Sequence, residues 1–313
     1  MFQKDPNLLS SFGCDPYARF WTDVHDEHAI TIKDVVGGHQ LCAVIGEYGV
    51  GKSVLVRETL RDIDQPIYIK TSSRRSLRVG HILSGIVYEL DKGNPRRDIV
   101  ARQYQVERYL GELIVRSGNQ IAIVIDNAHR MHHRTLLEIK DLMETMEYGG
   151  VCPLVSFILI GHPQLESTLK AHREVYHRTR SIHLDEAHGW MTQRHRIEYL
   201  KTVYGDAIAP DVRKRLAAVH TSMLRLDHQI DEHLRTMMAA GVDRMTWQHA
   251  PLPMRDVREA AGLSLSQLAK MSGVPNSTIS DIEHNKTESQ EAEDALWDSL
   301  DTFLDDSADS KAA

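Results

Sequence analysis

A chain of 313 residues has room for more than one domain, and 42% hydrophobic with 26% charged residues is the balance of ordinary globular protein. No stretch approaches the roughly 18 uninterrupted apolar residues of a membrane span, and the start MFQKDPNLLSSFG lacks a signal peptide's basic-then-apolar order, so a cytoplasmic location without a membrane partner is expected. The net charge of −7 is uneven: nine acidic residues and one lysine from 287 to 313 carry −8, which leaves residues 1–286 at +1 and keeps polyanion binding open.

Along the chain, short β-rich runs at Leu41–Ile45, Ile67–Lys70, Ile121–Asp126, Val155–Ile160 and Ser181–Leu184 alternate with helical patterns. That alternation predicts an α/β fold with a five-stranded parallel sheet. Before the third strand, Val106, Leu110, Leu113 and Ile114 share one helical face and are assigned to the core. From about Ala187 to Ala250 the strand signal ends and patterns such as Ile230, Leu234, Met237 and Met238 predict a helical lid. Prolines 251 and 253 mark a linker, a compact helical unit follows over 254–304, and the polar acidic end, 305–313, is expected to be disordered. The three cysteines, Cys14, Cys42 and Cys152, are too scattered for a disulfide framework or a CxxC metal site. His129, His132 and His133 lie close together but lack partners at ligand spacing, and are read as surface and loop histidines.

The chemistry starts at the first strand. Gly46-Glu47-Tyr48-Gly49-Val50-Gly51-Lys52-Ser53 satisfies G-x-x-x-x-G-K-[ST] after an apolar strand and before a helix, and Val54 is assigned with these residues to nucleotide binding. Glycines let backbone N–H groups wrap phosphates at the positive end of the helix. Lys52 is expected to reach the β- and γ-phosphates of ATP, and the Ser53 hydroxyl to ligate Mg²⁺. The third strand ends in Asp126, the expected second Mg²⁺ carboxylate. Asn127 follows where an acidic base is usual, and a neutral amide can orient water but cannot accept its proton. Hydrolysis is therefore expected to be slow, or to need a group from elsewhere such as Glu47 or Glu138.

The runs GEYGVGKS, IVIDNAH, FILIGHPQLESTL and HREVYHRTRSIHL together resemble the AAA+ ATPases that assist DDE transposases, the Mu B, TniB and TnsC type, and also the ExeA-type module, over roughly residues 15–245. The absence of a transmembrane segment favours the transposition branch over ExeA. The resemblance implies a P-loop NTPase core (1–186), with His162 after the fourth strand as a sensor, Arg178 among Arg173, Arg178 and Arg180 as an arginine finger, and Arg225 in the lid (187–250) as a second sensor. It also implies assembly of homo-oligomeric rings or filaments on duplex DNA and recruitment of a DDE-type transposase. Arg74, Arg75 and Arg78 after the second strand are candidates to track phosphates.

The segment from Met254 to Lys286 resembles a helix-turn-helix of the Xre, lambda-repressor-like type, with a recognition helix capped by Asn276 and running to Glu283. Gln267, Asn276, Ser277, Thr278 and Lys286 would meet phosphates or base edges. Yet 254–286 holds four basic and four acidic side chains, so docking to protein is a rival role. Two further readings of the whole chain stand beside the transposition helper: a nucleotide-gated Xre-type transcription regulator, and an ExeA-like ATPase serving a protein machine.

Overall fold

The computed structural model describes residues 4–62, 66–69, 77–90, 93–118, 121–246, 252–287 and 289–310. The chain divides into two compact units, Thr22–Trp190 and a second made of the first 21 residues together with 191–313. A short helix, α1 (Pro6–Ser11), belongs to the second unit.

The first unit opens with α2 (Asp23–Gly37), entered through the Thr22 N–H, which donates to His25 Nδ1 at 3.3 Å. There follow β1 (Leu41–Gly46), α3 (Lys52–Thr59), β2 (Ile67–Ile69), α4 (Val79–Glu89), α5 (Ile99–Ser117) and β3 (Ile121–Ile125). After these come α6 (His133–Thr145), β4 (Val155–Gly161), α7 (Gln164–Lys170), α8 (Arg173–Tyr176) and β5 (Thr179–Leu184). The five strands are parallel in the order β2-β3-β4-β1-β5. β1, β3 and β4 are buried along their whole length, as strands covered by helices on both faces must be. Each fully buried Ile or Val there contributes roughly 1.5–3 kcal/mol. On α5, Val106 and Leu110 are buried and Leu113 and Ile114 pack against the same core. Asp98 caps that helix by accepting from the Ala101 N–H at 2.9 Å, and Gly118 ends it at φ +66°. The hydroxyl of Ser156 is buried in β4 and donates to the Val36 carbonyl (3.1 Å), which leaves no unpaired polar group there.

The second unit contains α9 (Gln193–Tyr204), α10 (Pro210–Val219), α11 (Met223–Ala240), α12 (Met254–Ala260), α13 (Leu265–Ser272), α14 (Asn276–Glu283) and α15 (Gln290–Ser310). Residues of the lid and of the helix-turn-helix pack together: Leu216, Leu226, Ile230 and Leu234 share one hydrophobic cluster with Val257, Leu268, Ile279 and Leu300. Three details differ from expectation. The acidic end is helical as far as Ser310, because Leu296, Leu300 and Leu304 bury one stripe of α15 and Lys214 pairs with Asp305 at 2.6 Å. Met238 lies off the buried stripe of α11 and is 58% exposed. Asn276 is the first residue of α14, not its cap, which falls on Pro275. Between α10 and α15, the Arg215 guanidinium makes two bonds to Asp301 (3.0 and 2.8 Å) and lies 4.1 Å over the Trp297 ring.

Candidate nucleotide site and helix-turn-helix

The strand order decides what meets at the C-terminal edge of the sheet. β4 pairs with β1 (Val44↔Ile160) and with β3 (Ile125↔Leu159), so its end emerges between the glycine loop and Asp126. Gly46 must lack a side chain, since a Cβ would stand 2.8 Å from the Leu184 carbonyl oxygen. Gly49 (φ +80°) and Gly51 (φ +97°) take the left-handed conformation that turns the loop into the first turn of α3. Glu47 and Tyr48 are exposed at the loop's tip, Val50 and Gly51 are half-buried, and Val54 on α3 is 42% exposed.

Lys52 Nζ donates to the carbonyls of Gly46 (2.8 Å) and Glu47 (2.6 Å), which holds the ammonium over the loop. Burial pulls its pKa down from the ordinary lysine value, and the carboxylates of Asp126 and Glu47 oppose that. Ser53 Oγ donates to Asp126 Oδ2 at 3.1 Å. Two hard oxygen donors therefore converge at the start of α3, the donor type that Mg²⁺ selects. Asp126 Oδ1 accepts from the Asn127 N–H (2.7 Å), and Asn127 itself is exposed with φ +55°.

His162 follows β4, its ring 4.5 Å from His129 and 6.3 Å from Tyr48. Burial, then the Lys52 ammonium, hold His162 below the ordinary histidine value. Glu138, on α6, lies close enough to His132 for its charge to oppose, without reversing, the lowering of that imidazole's pKa. Sequence reasoning did not single out Trp190. Its Nε1 donates to the Val50 carbonyl (2.8 Å) and its ring lies 4.4 Å from His25 and 5.6 Å from His28, so the glycine loop is braced from a point 140 residues away. No spacing in the sequence announces such a contact.

Arg178 lies elsewhere. It precedes β5 at the N-terminal edge of the sheet, where Thr179 pairs with Leu41, about 17 Å of strand from the level of Gly46 at about 3.3 Å per residue. There it pairs with Glu144. Arg180 does not precede the fifth strand, as expected, but lies within it, 4.0 Å from Asp34. Arg225 is exposed in the first turn of α11, in the second unit.

Arg74 and Arg75 fall outside the described residues. Arg78 is exposed at the N-terminus of α4 and has arginine company. Arg102 Nη1 donates to the Gly80 carbonyl (2.9 Å), and its Nε and Nη2 donate to the Arg96 and Arg97 carbonyls (2.7 and 3.1 Å), which draws the start of α5 to the start of α4. The His132 N–H donates to the Leu77 carbonyl (3.2 Å), which brings up the start of α6 with Arg134. Desolvation, then the charges of His133, Arg78 and Arg134, hold His132 below the ordinary histidine value. Arg78, Arg96, Arg97 and Arg134 are exposed and form no ion pair among the described residues. Among those residues no histidine, cysteine and carboxylate group of three could hold a metal, and the three cysteines are free.

In the second unit, Gly273 at φ +73° makes the turn between α13 and α14. Asn276, Ser277 and Lys286 are exposed and Thr278 is half-exposed. Asn276 Nδ2 donates to Ser266 Oγ (3.1 Å), and Lys286 stands 3.9 Å from Asp281. The Gln267 side-chain oxygen is already engaged by the Ser264 N–H (2.9 Å), closing a capping box. Underneath, Arg258 makes two bonds to the buried Glu283 (2.6 and 3.0 Å) and donates to the Leu263 carbonyl, which fixes α14 against α12.

Comparison with known proteins agrees with both parts. Residues 35–169 match the model of the AAA domain family, and residues 254–290 match a helix-turn-helix family. Cdc6p from Pyrobaculum aerophilum is similar in structure at a TM-score of 0.62 and 13% identity, over 98% of this chain and 90% of that one. A Walker-type ATPase of Pyrococcus abyssi is similar at 0.47 and 14% identity, over 88% of both chains. NtrX from Brucella abortus, in complex with ATP, is similar at 0.48 and 14% identity, over 86% of this chain and 69% of that one. No curated protein matches the sequence. Among the described residues no helix is long and apolar enough to cross a membrane. The first unit thus carries the five-stranded parallel fold of an AAA domain, matched over residues 35–169, and residues 254–290 a helix-turn-helix.

Proposed function

We propose that this chain is a cytoplasmic, ATP-dependent DNA-binding protein that assembles on duplex DNA and recruits or activates a DDE-type transposase, so shaping target choice in transposition. The observation that carries the ATPase part is the convergence of the glycine loop, Lys52, Ser53 and Asp126 at one edge of the sheet. On binding, Lys52 exchanges the Gly46 and Glu47 carbonyls for phosphate oxygens and gains charge-assisted bonds. Ser53 and Asp126 hold Mg²⁺, which when bound offsets charge on the phosphates. Arg178 stands too far from the chain's own loop to serve it, which fits a role at a neighbouring copy's site. Arg225, and the loop residues from Gly46 to Val54, are assigned to nucleotide contacts.

Duplex binding is supported by the four arginines around the starts of α4, α5 and α6, exposed and without an ion pair among the described residues, where three positive helix ends add to their charge. Phosphate contact there needs no sequence preference. The transposase part rests on the sequence resemblance. The exposed polar start of α14 favours the regulator as second reading, since Asn276, Ser277 and Thr278 can read base edges.

Electron microscopy of the full chain with unrelated duplexes and ATP separates the readings. Rings or filaments covering long tracts are expected, and Lys52→Ala should abolish both assembly and nucleotide binding by calorimetry. One short protected site would favour the regulator, and indifference to DNA the ExeA-like ATPase.

A further inference from the structure

We propose that His129 and His162 act as a pair on the attacking water, His162 taking its proton and His129 holding the His162 ring in place, and so supply the acceptor that Asn127 lacks. The inference rests on the ATPase reading. Asn127 is exposed, and its side-chain amide has no basic atom. His162 is different: it sits at the end of the strand that comes out between Lys52 and Asp126.

The turn after β3 packs directly on the end of β4. A Cβ on Gly161 would stand 3.2 Å from the His129 nitrogen and 2.8 Å from Leu165 Cδ2, so the glycine is what lets the two segments close. The His162 N–H donates to His129 Nδ1 at 3.4 Å. That bond leaves the proton of a neutral His129 on Nε2. The two rings meet edge to face at 84°, with centroids 4.5 Å apart, and the Tyr48 ring lies parallel to His162, at 13° and 6.3 Å, along the exposed side. His162 is thereby flanked by two rings while no hydrogen bond occupies its own ring nitrogens among the described residues.

A proton acceptor must be unprotonated at working pH. Burial first, then Lys52 and Arg130, keep His162 neutral, against the opposing charges of Glu47 and Asp126. His129 is held down by burial, then by His162, Arg130 and Lys52, with Asp126 opposing. In the step itself, a proton of the water passes to the free ring nitrogen of His162. The water oxygen forms its bond to the γ-phosphorus as the bond to the bridging oxygen breaks, and that electron pair leaves with ADP.

The test uses the full chain with duplex DNA, comparing the parent, Lys52→Ala, His162→Gln, His162→Ala and His129→Asn. Single-turnover hydrolysis against pH is read beside nucleotide affinity by calorimetry and the histidine C2-proton titration by NMR without nucleotide. The parent rate should fall as pH drops through the His162 titration, whose midpoint should lie below the ordinary histidine range. His162→Gln should keep ATP affinity within about threefold, lose about a hundredfold in rate and lose the acid limb. His129→Asn should keep a residual rate and move the His162 titration upward. An unchanged rate and pH profile in both His162 variants, with Lys52→Ala inactive, overturns the pair and leaves the ATPase reading standing. A parent chain without turnover ends both.

Discussion

Position 127 meets two opposed demands. The turn after β3 requires φ +55°, a left-handed conformation that asparagine tolerates better than other residues with a side chain. The usual chemistry at this place calls for a glutamate, which the same backbone penalises. Asn127→Glu should therefore cost about 1 kcal/mol of stability in urea denaturation, while Asn127→Gly should cost far less. If Asn127→Glu nevertheless raises turnover, water activation is limited by the missing carboxylate. At this scale the phosphate loop was legible because its residues are contiguous and its spacing is the mechanism. The bracing of Val50 by Trp190 and the pairing of His129 with His162 were not, since each joins residues that only the sheet order brings together.

Among the elements, α15 departs most from expectation. Only the chain's end, 305–313, reads as disordered from composition, yet the helix runs on to Ser310 from the turns in which Leu296, Trp297, Leu300 and Leu304 are buried on one face. What composition hides is a partner: Arg215 on α10, 6% exposed, takes the charge of Asp301 and the face of Trp297. Arg215→Ala should destabilise the second unit by about 3 kcal/mol or more, because it strands a partly buried carboxylate and opens a gap beside the indole. Chemical denaturation followed by Trp fluorescence measures it, and a change under 1 kcal/mol would refute the account. The five strands, by contrast, were read to within two residues, helped by the long apolar runs of β1, β3 and β4, which leave few alternatives.

For the whole molecule, several histidines away from the nucleotide site are held below their ordinary value, about 6.5. His28, His39, His220 and His233 all owe this first to burial. Their folded forms bind protons less readily than the unfolded chain does. The stability they contribute is thus fully present above about pH 6.5 and is lost as pH falls through the depressed folded values. Scanning calorimetry should show Tm falling between pH 7 and pH 5, before carboxylates titrate. A flat Tm over that interval would contradict the assignment. The sequence placed these residues on no particular surface, since burial of a lone histidine depends on which helices close over it.

The common core of α10, α11, α12, α13, α14 and α15 also bears on how the proposed DNA-binding role could be retargeted. Helix α14 cannot be exchanged like a cassette: a chimera that kept residues 191–246 and imported a foreign helix-turn-helix would leave Arg215 and the apolar flank of α10 facing an ill-fitting surface. On the proposed reading of α14 as the DNA-contacting helix, retargeting by small steps falls to its outward positions, the exposed Ser277 and the half-exposed Thr278.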